Sequence, residues 1–174
     1  GTGKTNIAVN LALKLAEHEP VCLIDCDIVN PYFRSTDNKE LLESKGILVF
    51  SPNFANTNLD TPSLPAAIGS VFQMNRRIIW DVGGDDAGAV VLGMFAKRLS
   101  DQDYCMLYVI NKFRPLTETS PDMEEYLRDI EVNSRLKVSA IVNNSNLSYM
   151  TDNQVVSEGE KCAKELSDKT GLPL

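Results

Sequence analysis

At 174 residues the chain is long enough for one domain with a full core, and its 43% hydrophobic, 24% charged composition is ordinary for a soluble globular protein. The formal charge of −7 argues against a broad nucleic-acid-binding face, which needs clustered Lys and Arg. The Arg76-Arg77 and Lys97-Arg98 pairs read as solvated surface pairs. No window reaches the roughly 18 apolar residues of a membrane span.

The first predicted element is an amphipathic helix over residues 4–17, where Ile7, Leu11 and Leu15, and Val9 and Leu13, recur at helical spacing. His18, the sole histidine, reads as a helix-end residue, and Pro20 closes the element. Residues 21–25 form an apolar run typical of a strand buried on both faces. A short helix over 39–44 and a strand over 47–50 follow. Residues 51–65, rich in Pro and Asn, read as a loop, and 64–73 as a helix. A strand over 78–81 ends at Asp81, Gly83-Gly84 turns, and 87–99 is one helix. Then come a strand over 104–110, a helix over 121–130, a strand over 138–143 and a helix over 153–169. Residues 171–174 lead into a further strand. Strands alternating with helices predict an α/β fold, a mostly parallel sheet with helices on both faces. With no repeat, low-complexity tract or linker, residues 1–174 are expected to form a single domain.

Of the four cysteines, Cys22, Cys26, Cys105 and Cys162, none forms a C-x-x-C pair. Three lie in or beside apolar or helical patterns, where a free thiol packs as a small hydrophobe, and a reduced, cytoplasmic setting is expected. Cys22 and Cys26 flank a strand end, which leaves a metal role open. One histidine supports neither a catalytic triad nor a multi-histidine metal site.

The chemistry concentrates at three points. Gly1-Thr2-Gly3-Lys4-Thr5 runs into the first helix and matches the end of the phosphate-binding motif G-x-x-x-x-G-K-[ST]. Glycine lets successive N–H groups turn toward phosphate oxygens, and the helix N-terminus adds partial positive charge. Lys4 can reach the β- and γ-phosphates, and Thr5 can place its hydroxyl on magnesium. Asn6 completes the nucleotide-binding set. Second, Asp25 and Asp27 follow a buried strand, where a parallel sheet opens its ligand crevice. They can hold magnesium and orient an attacking water, or they can serve as turn aspartates. Third, Asp81-Val82-Gly83-Gly84-Asp85 follows another apolar strand. Asp81 stands where a Walker-B carboxylate is expected, and the glycines permit a turn that changes shape when the γ-phosphate leaves. Asp85 and Asp86 serve this turn or cap the next helix.

These segments, in this order, resemble the MinD/ParA/CobQ class of P-loop ATPases, which includes the nitrogenase iron protein. Gly1–Thr5 fits the last five positions of that family's K-G-G-x-G-K-T motif. The motif's early lysine, a first strand and the first half of the P-loop are expected to precede Gly1, and a C-terminal end to follow Leu174. Asp25-Cys26-Asp27 is similar to the family's D-x-D segment, which assigns the hydrolytic water to Asp27. Asp81–Asp85 is similar to its second switch, and the stretch through Gly88, Gly93, Met94 and Phe95 is similar to the iron protein's. The resemblance implies a three-layer P-loop NTPase fold binding ATP and Mg2+. Lys4, Asp27 and Asp85 would be catalytic, and Thr5, Asp25 and Asp81 would serve the metal.

Asn111-Lys112-Phe113-Arg114 imitates the guanine motif N-K-x-D, but Arg114 cannot accept the guanine N–H bonds. The match is accidental and guanine is not expected. The family's adenine-contacting asparagine falls on Asn143, or else on Asn144; both also suit a strand-end turn. Pro31-Tyr32-Phe33-Arg34 faces a partner or packs its own loop.

Two function classes follow. In the first, ATP closes a homodimer, hydrolysis opens it, and a client protein reads the difference. No iron–sulfur cysteine pair stands where the iron protein has one. In the second, a dethiobiotin-synthetase-like or cobyrinate-amidation-like ligase uses the same loop to activate a carboxylate, with Arg34, Lys112 and Arg114 as the candidate basic residues. Clients of the first class include metal-centre enzymes, membranes and DNA complexes; the acidic balance argues against direct nucleic-acid contact, and a membrane-targeting helix would fall after Leu174.

Overall fold

α1 (Lys4–Leu15) turns Ala8, Val9 and Ala12 toward the core, and these short side chains let it sit close to the sheet beneath. It stops short of the expected Glu17, because the N–H groups of His18 and Glu19 both fold back onto the Leu15 carbonyl (3.0 Å each). The computed structural model describes residues 2–26, 38–50, 68–84, 86–115 and 117–174. They fall into two compact units, residues 4–83 and residues 84–174 with 1–3. The chain passes between them at Gly3–Lys4 and again at Gly83–Gly84.

In the 4–83 unit β1 (Val21–Cys26) lies between β2 (Leu48–Phe50) and β3 (Arg77–Val82), all parallel. β1 is buried along its whole length, which is why its sequence is an apolar run rather than an alternation. Side-chain alternation still sorts its neighbours. Val21 and Leu23, with Val49 of β2 and Ile79 of β3, pack with α1. Trp80, the next residue along, instead meets Phe72 at 5.8 Å between ring centres. α2 (Lys39–Ser44) adds Leu42 to the α1 cluster. β2 begins at Leu48 rather than Ile47, because the Ile47 N–H is used to close α2 on the Leu42 carbonyl (3.1 Å). The expected helix over 64–73 is helical at 68–71; its expected start and the 51–65 loop lie outside the described residues.

In the 84–174 unit β4 (Leu107–Ile110) pairs in parallel with β5 (Ala140–Asn143). α5 (Ser120–Ser134) and α6 (Asn153–Thr170) give Met123, Leu127, Cys162, Ala163 and Leu166 to one cluster with Tyr108, Ile110 and Ile141. α5 runs past the expected Ile130 because both ends are fixed. Thr119 and Asp122 form a capping box at its start, and Arg135 adopts the left-handed conformation at its end. Asp152 caps α6 and Gly171 (φ 72°) ends it.

The helix expected over 87–99 is two: α3 (Asp86–Met94) and α4 (Ala96–Ser100). The backbone at Gly93 lies so close to the end of α5 that a Cβ there would come within 2.7 Å of the Asn133 carbonyl oxygen. Two residues on, the Phe95 N–H bonds back three positions to Leu92 (3.0 Å), a tightening that stops α3. β4 and β5 also start later than expected. Side chains satisfy the backbone ahead of them: Met106 N–H donates to Ser139 Oγ, Val138 N–H to Glu131 Oε1 and Lys137 N–H to Tyr104 Oη. Cys105 therefore precedes the strand and is exposed, not enclosed within it as expected. Residues 171–174 form no strand, although the Pro173 carbonyl accepts the Ile141 N–H of β5 (2.8 Å). The architecture is α/β with parallel strand pairing, as the alternation of elements implies.

Candidate functional site: a helix start, a carboxylate pair and an asparagine edge

In the 4–83 unit the candidate residues are charged. A five-residue turn joins the end of α1 to the start of β1, so helix and strand run antiparallel. The first turn of α1, with Lys4 and Thr5, therefore lies toward the C-terminal edge of the strands. At that edge Asp25 of β1 and Asp81 of β3 are register partners, on parallel strands about 4.8 Å apart. By alternation with Leu23 and Ile79 they share the face that α1 covers. They are 4% and 2% exposed. Two adjacent carboxylates with little water around them repel one another unless a cation stands by.

The same field reaches Cys26, whose thiol is pushed up to about 12, first by burial and then by the charges of Asp25 and Asp81. Burial pushes Cys22 up to about 11, only partly offset by Arg76. Cys22 and Cys26 stand four residues apart on β1, roughly 13 Å along a strand, too far to ligate one ion together. Among the described residues no three His, Cys, Asp or Glu side chains converge as a metal cage. Two carboxylates and the Thr5 hydroxyl instead fit magnesium. That ion commonly takes one or two protein carboxylates and completes its octahedron with water and phosphate oxygens.

In the 84–174 unit, which includes residues 1–3, the candidate residues are amides. Gly3 has φ 84°, a conformation that suits glycine. Asn144 Nδ2 donates to the Thr2 carbonyl (2.7 Å) and stands 2.3 Å from where a Cβ on Gly3 would be. Asn143 turns elsewhere: its Oδ1 accepts the Ser145 N–H (3.1 Å) and lies beside Gly159 of α6. Asn111, first residue of the guanine-like tetrapeptide, is buried and fully engaged. Its Nδ2 donates to the Asn146 carbonyl (3.1 Å), and its Oδ1 accepts the N–H groups of Phe113 (3.0 Å) and Asn146 (3.4 Å). Lys112 pairs with Glu158 (3.4 Å) and lies over the Phe113 ring. The tetrapeptide thus ties the ends of β4 and β5 together, a structural duty that accounts for the chance match.

Of the remaining candidates, Asn6 is exposed on α1, and its carbonyl accepts Asn10 Nδ2 (2.7 Å). Gly1, Asp27, Asp85 and residues 31–34 lie outside the described residues. Tyr126 of α5 is a residue that sequence reasoning missed: its hydroxyl donates to the Gly84 carbonyl, in the turn after β3. Its neighbours Met123 and Leu127 face the core, so helical spacing alone reads Tyr126 as core too. Ser145 and Asn146 were missed as well, since nothing in a strand-end Asn-Asn-Ser-Asn run says which amide points where.

Residues 1–151 match the family described as the CobQ/CobB/MinD/ParA nucleotide binding domain. No curated protein and no solved structure matches the chain.

Proposed function

The chain belongs to that family and is a P-loop nucleotide-binding domain, and from this premise we propose that it is a magnesium-dependent ATPase whose nucleotide state switches a homodimer acting on a client protein. The observation that carries the reading is the buried pair Asp25–Asp81, in register at the strand ends on the face covered by the helix that begins at Lys4 and Thr5.

The roles follow from the chemistry of each group. Lys4 and the amides of residues 1–5 bind the β- and γ-phosphates. Thr5, Asp25 and Asp81 would hold magnesium, which supplies neutralising charge at those phosphates. Asp27 orients the attacking water, and Asp85 supports it. Gly83-Gly84 senses the γ-phosphate, with the Gly84 carbonyl held by Tyr126. Asn143 is assigned to adenine. ATP is favoured over GTP because Arg114 stands where the guanine motif needs an acceptor. Catalysis is then positioning and charge stabilisation, and the basal rate is slow until a dimer or client completes the site.

Phosphate release by the purified protein tests this, with Lys4→Ala beside it. Release that falls by roughly a hundredfold in the variant supports the assignment; equal release in both refutes it. Release that appears only with an added small carboxylic acid identifies a ligase instead. Asp27→Asn tests the water-orienting role, which is wrong if the variant hydrolyses ATP at the original rate.

A further inference from the structure

We propose that Asn144 is a positioning residue for the phosphate loop: its side-chain amide, donated to the Thr2 carbonyl, sets the loop in the shape that receives phosphate whatever base is attached. The inference rests on the nucleotide-binding reading above and goes beyond it by giving Asn144 a duty toward the protein's own backbone.

Three observations carry it. The first is the contact itself, a 2.7 Å hydrogen bond across 142 residues of sequence onto the peptide that enters Gly3. Gly3 holds the positive φ on which the loop turns. A Cβ at Gly3 would strike the same amide at 2.3 Å, so the glycine and the asparagine are fitted to each other.

The second is the rigidity of the support. The backbone N–H of Asn144 donates to the Ile110 carbonyl at the end of β4 (2.9 Å). Its carbonyl accepts Asn146 Nδ2 (2.7 Å), and the Asn146 carbonyl in turn accepts Asn111 Nδ2. The Asn144 N–H is therefore fixed to the end of β4 and its carbonyl to the Asn146–Asn111 link, so its side chain is aimed by a preorganised frame.

The third is Thr2, 6% exposed, whose hydroxyl is buried with no hydrogen-bond partner among the described residues. Among the described residues the Thr2 hydroxyl adds no second anchor beside the Asn144 bond.

A base reader and a loop positioner differ in which ligands they affect. Calorimetry with magnesium, using ATP and inorganic tripolyphosphate, separates them in Asn144→Ala and in the near-isosteric Asn144→Asp. Loss of one such bond should weaken both ligands by the same factor, roughly fivefold, and more in Asn144→Asp, whose charge opposes phosphate. The thermal midpoint of the ligand-free protein should be unchanged within a few degrees, and the Gly3 15N amide resonance should move, because the Thr2 carbonyl belongs to the same peptide. Weakened ATP binding with unchanged tripolyphosphate binding overturns the proposal and makes Asn144 a base contact. An unmoved Gly3 resonance also overturns it. If the unsubstituted protein binds neither ligand, the nucleotide reading fails, and the Gly3 resonance still decides the contact.

Discussion

The two units end their strands in opposite chemistries. β1 and β3 carry buried carboxylates, Asp25 and Asp81, one residue before their ends, whereas β4 runs out into Asn111 and β5 ends on Asn143 with Asn144 following. A carboxylate has only acceptors, so two of them side by side cannot satisfy each other and are suited to a cation. An amide has donors and acceptors, so a run of asparagines can brace its own loops, as Asn111, Asn144 and Asn146 do. The acidic edge is therefore the place to look for chemistry and the amide edge the place to look for shape. This contrast predicts that substitutions at the two edges fail in different ways.

The largest effect is expected at the acidic edge. Asp81→Asn should raise the magnesium concentration needed for half-maximal ATP binding by about 10- to 100-fold, the range seen when supporting groups around a metal are removed. Tripolyphosphate binding measured without magnesium should change little. Isothermal titration at several magnesium concentrations checks this, and an unchanged magnesium requirement would remove the acidic edge from the metal's site.

At the amide edge the next effect is steric. Gly3→Ala places a methyl group at φ 84° and within 2.3 Å of Asn144 Nδ2. The left-handed conformation alone costs roughly 1–2 kcal/mol, so ATP and tripolyphosphate should both weaken by about tenfold or more. Adding Asn144→Ala removes the clash but not the unfavourable φ, so the double variant should lose less than the two singles summed. Simple additivity in this cycle would mean that the glycine and the amide are not fitted to each other.

The same contrast explains what the sequence disclosed. Acidic strand ends were legible because apolar runs deliver them: Val21–Ile24 ahead of Asp25 and Ile78–Trp80 ahead of Asp81 mark strands with charged tips, although Asp25 also suited a plain turn. The start of α1 at Lys4 was legible from the glycine before it. The amide edge was not legible to the same degree. Asn143 and Asn144 are the same residue type one position apart, and only the strand's alternation and the Ile110 anchor decide that Asn144 meets Thr2. The break at Phe95 was hidden too: the Phe95 N–H folds back onto the Leu92 carbonyl, and the residues there carry no sign of it. Caps were the exception among long elements: the Thr119–Asp122 box and Gly171 can be read locally, yet the α5 end at Arg135 cannot, because a left-handed arginine carries no compositional sign.

A smaller effect concerns thiols. Burial and the acidic pair hold Cys26 at about 12, and burial holds Cys22 at about 11, while Cys105 is exposed. Alkylation at pH 8 followed by peptide mapping should label Cys105 first and leave Cys22 and Cys26 protected until the fold opens. The pH dependence has a definite sign. A folded-state value raised above the ordinary 9 favours the folded state below pH 9 and is lost as pH rises. Stability should therefore fall between pH 9 and about 12, and Cys22→Ala should remove part of that slope. Early labelling of Cys26 would mean that the edge is open and its carboxylates hydrated.

The smallest effect is the one that bounds the acidic edge. Arg77 opens the strand that Asp81 nearly closes, and its guanidinium meets Glu19 at 3.0 Å on an exposed surface. Four residue steps separate Arg77 from Asp81, roughly 13 Å along a strand. An exposed pair of this kind contributes less than about 1 kcal/mol, and screening by salt reduces it further. Arg77→Ala should therefore shift the thermal midpoint by at most a few degrees, less in high salt, and leave magnesium-dependent ATP binding unchanged. A change in binding here would break the assignment of the chemistry to the C-terminal edge, because charge at the opposite end of β3 would then be reaching the nucleotide.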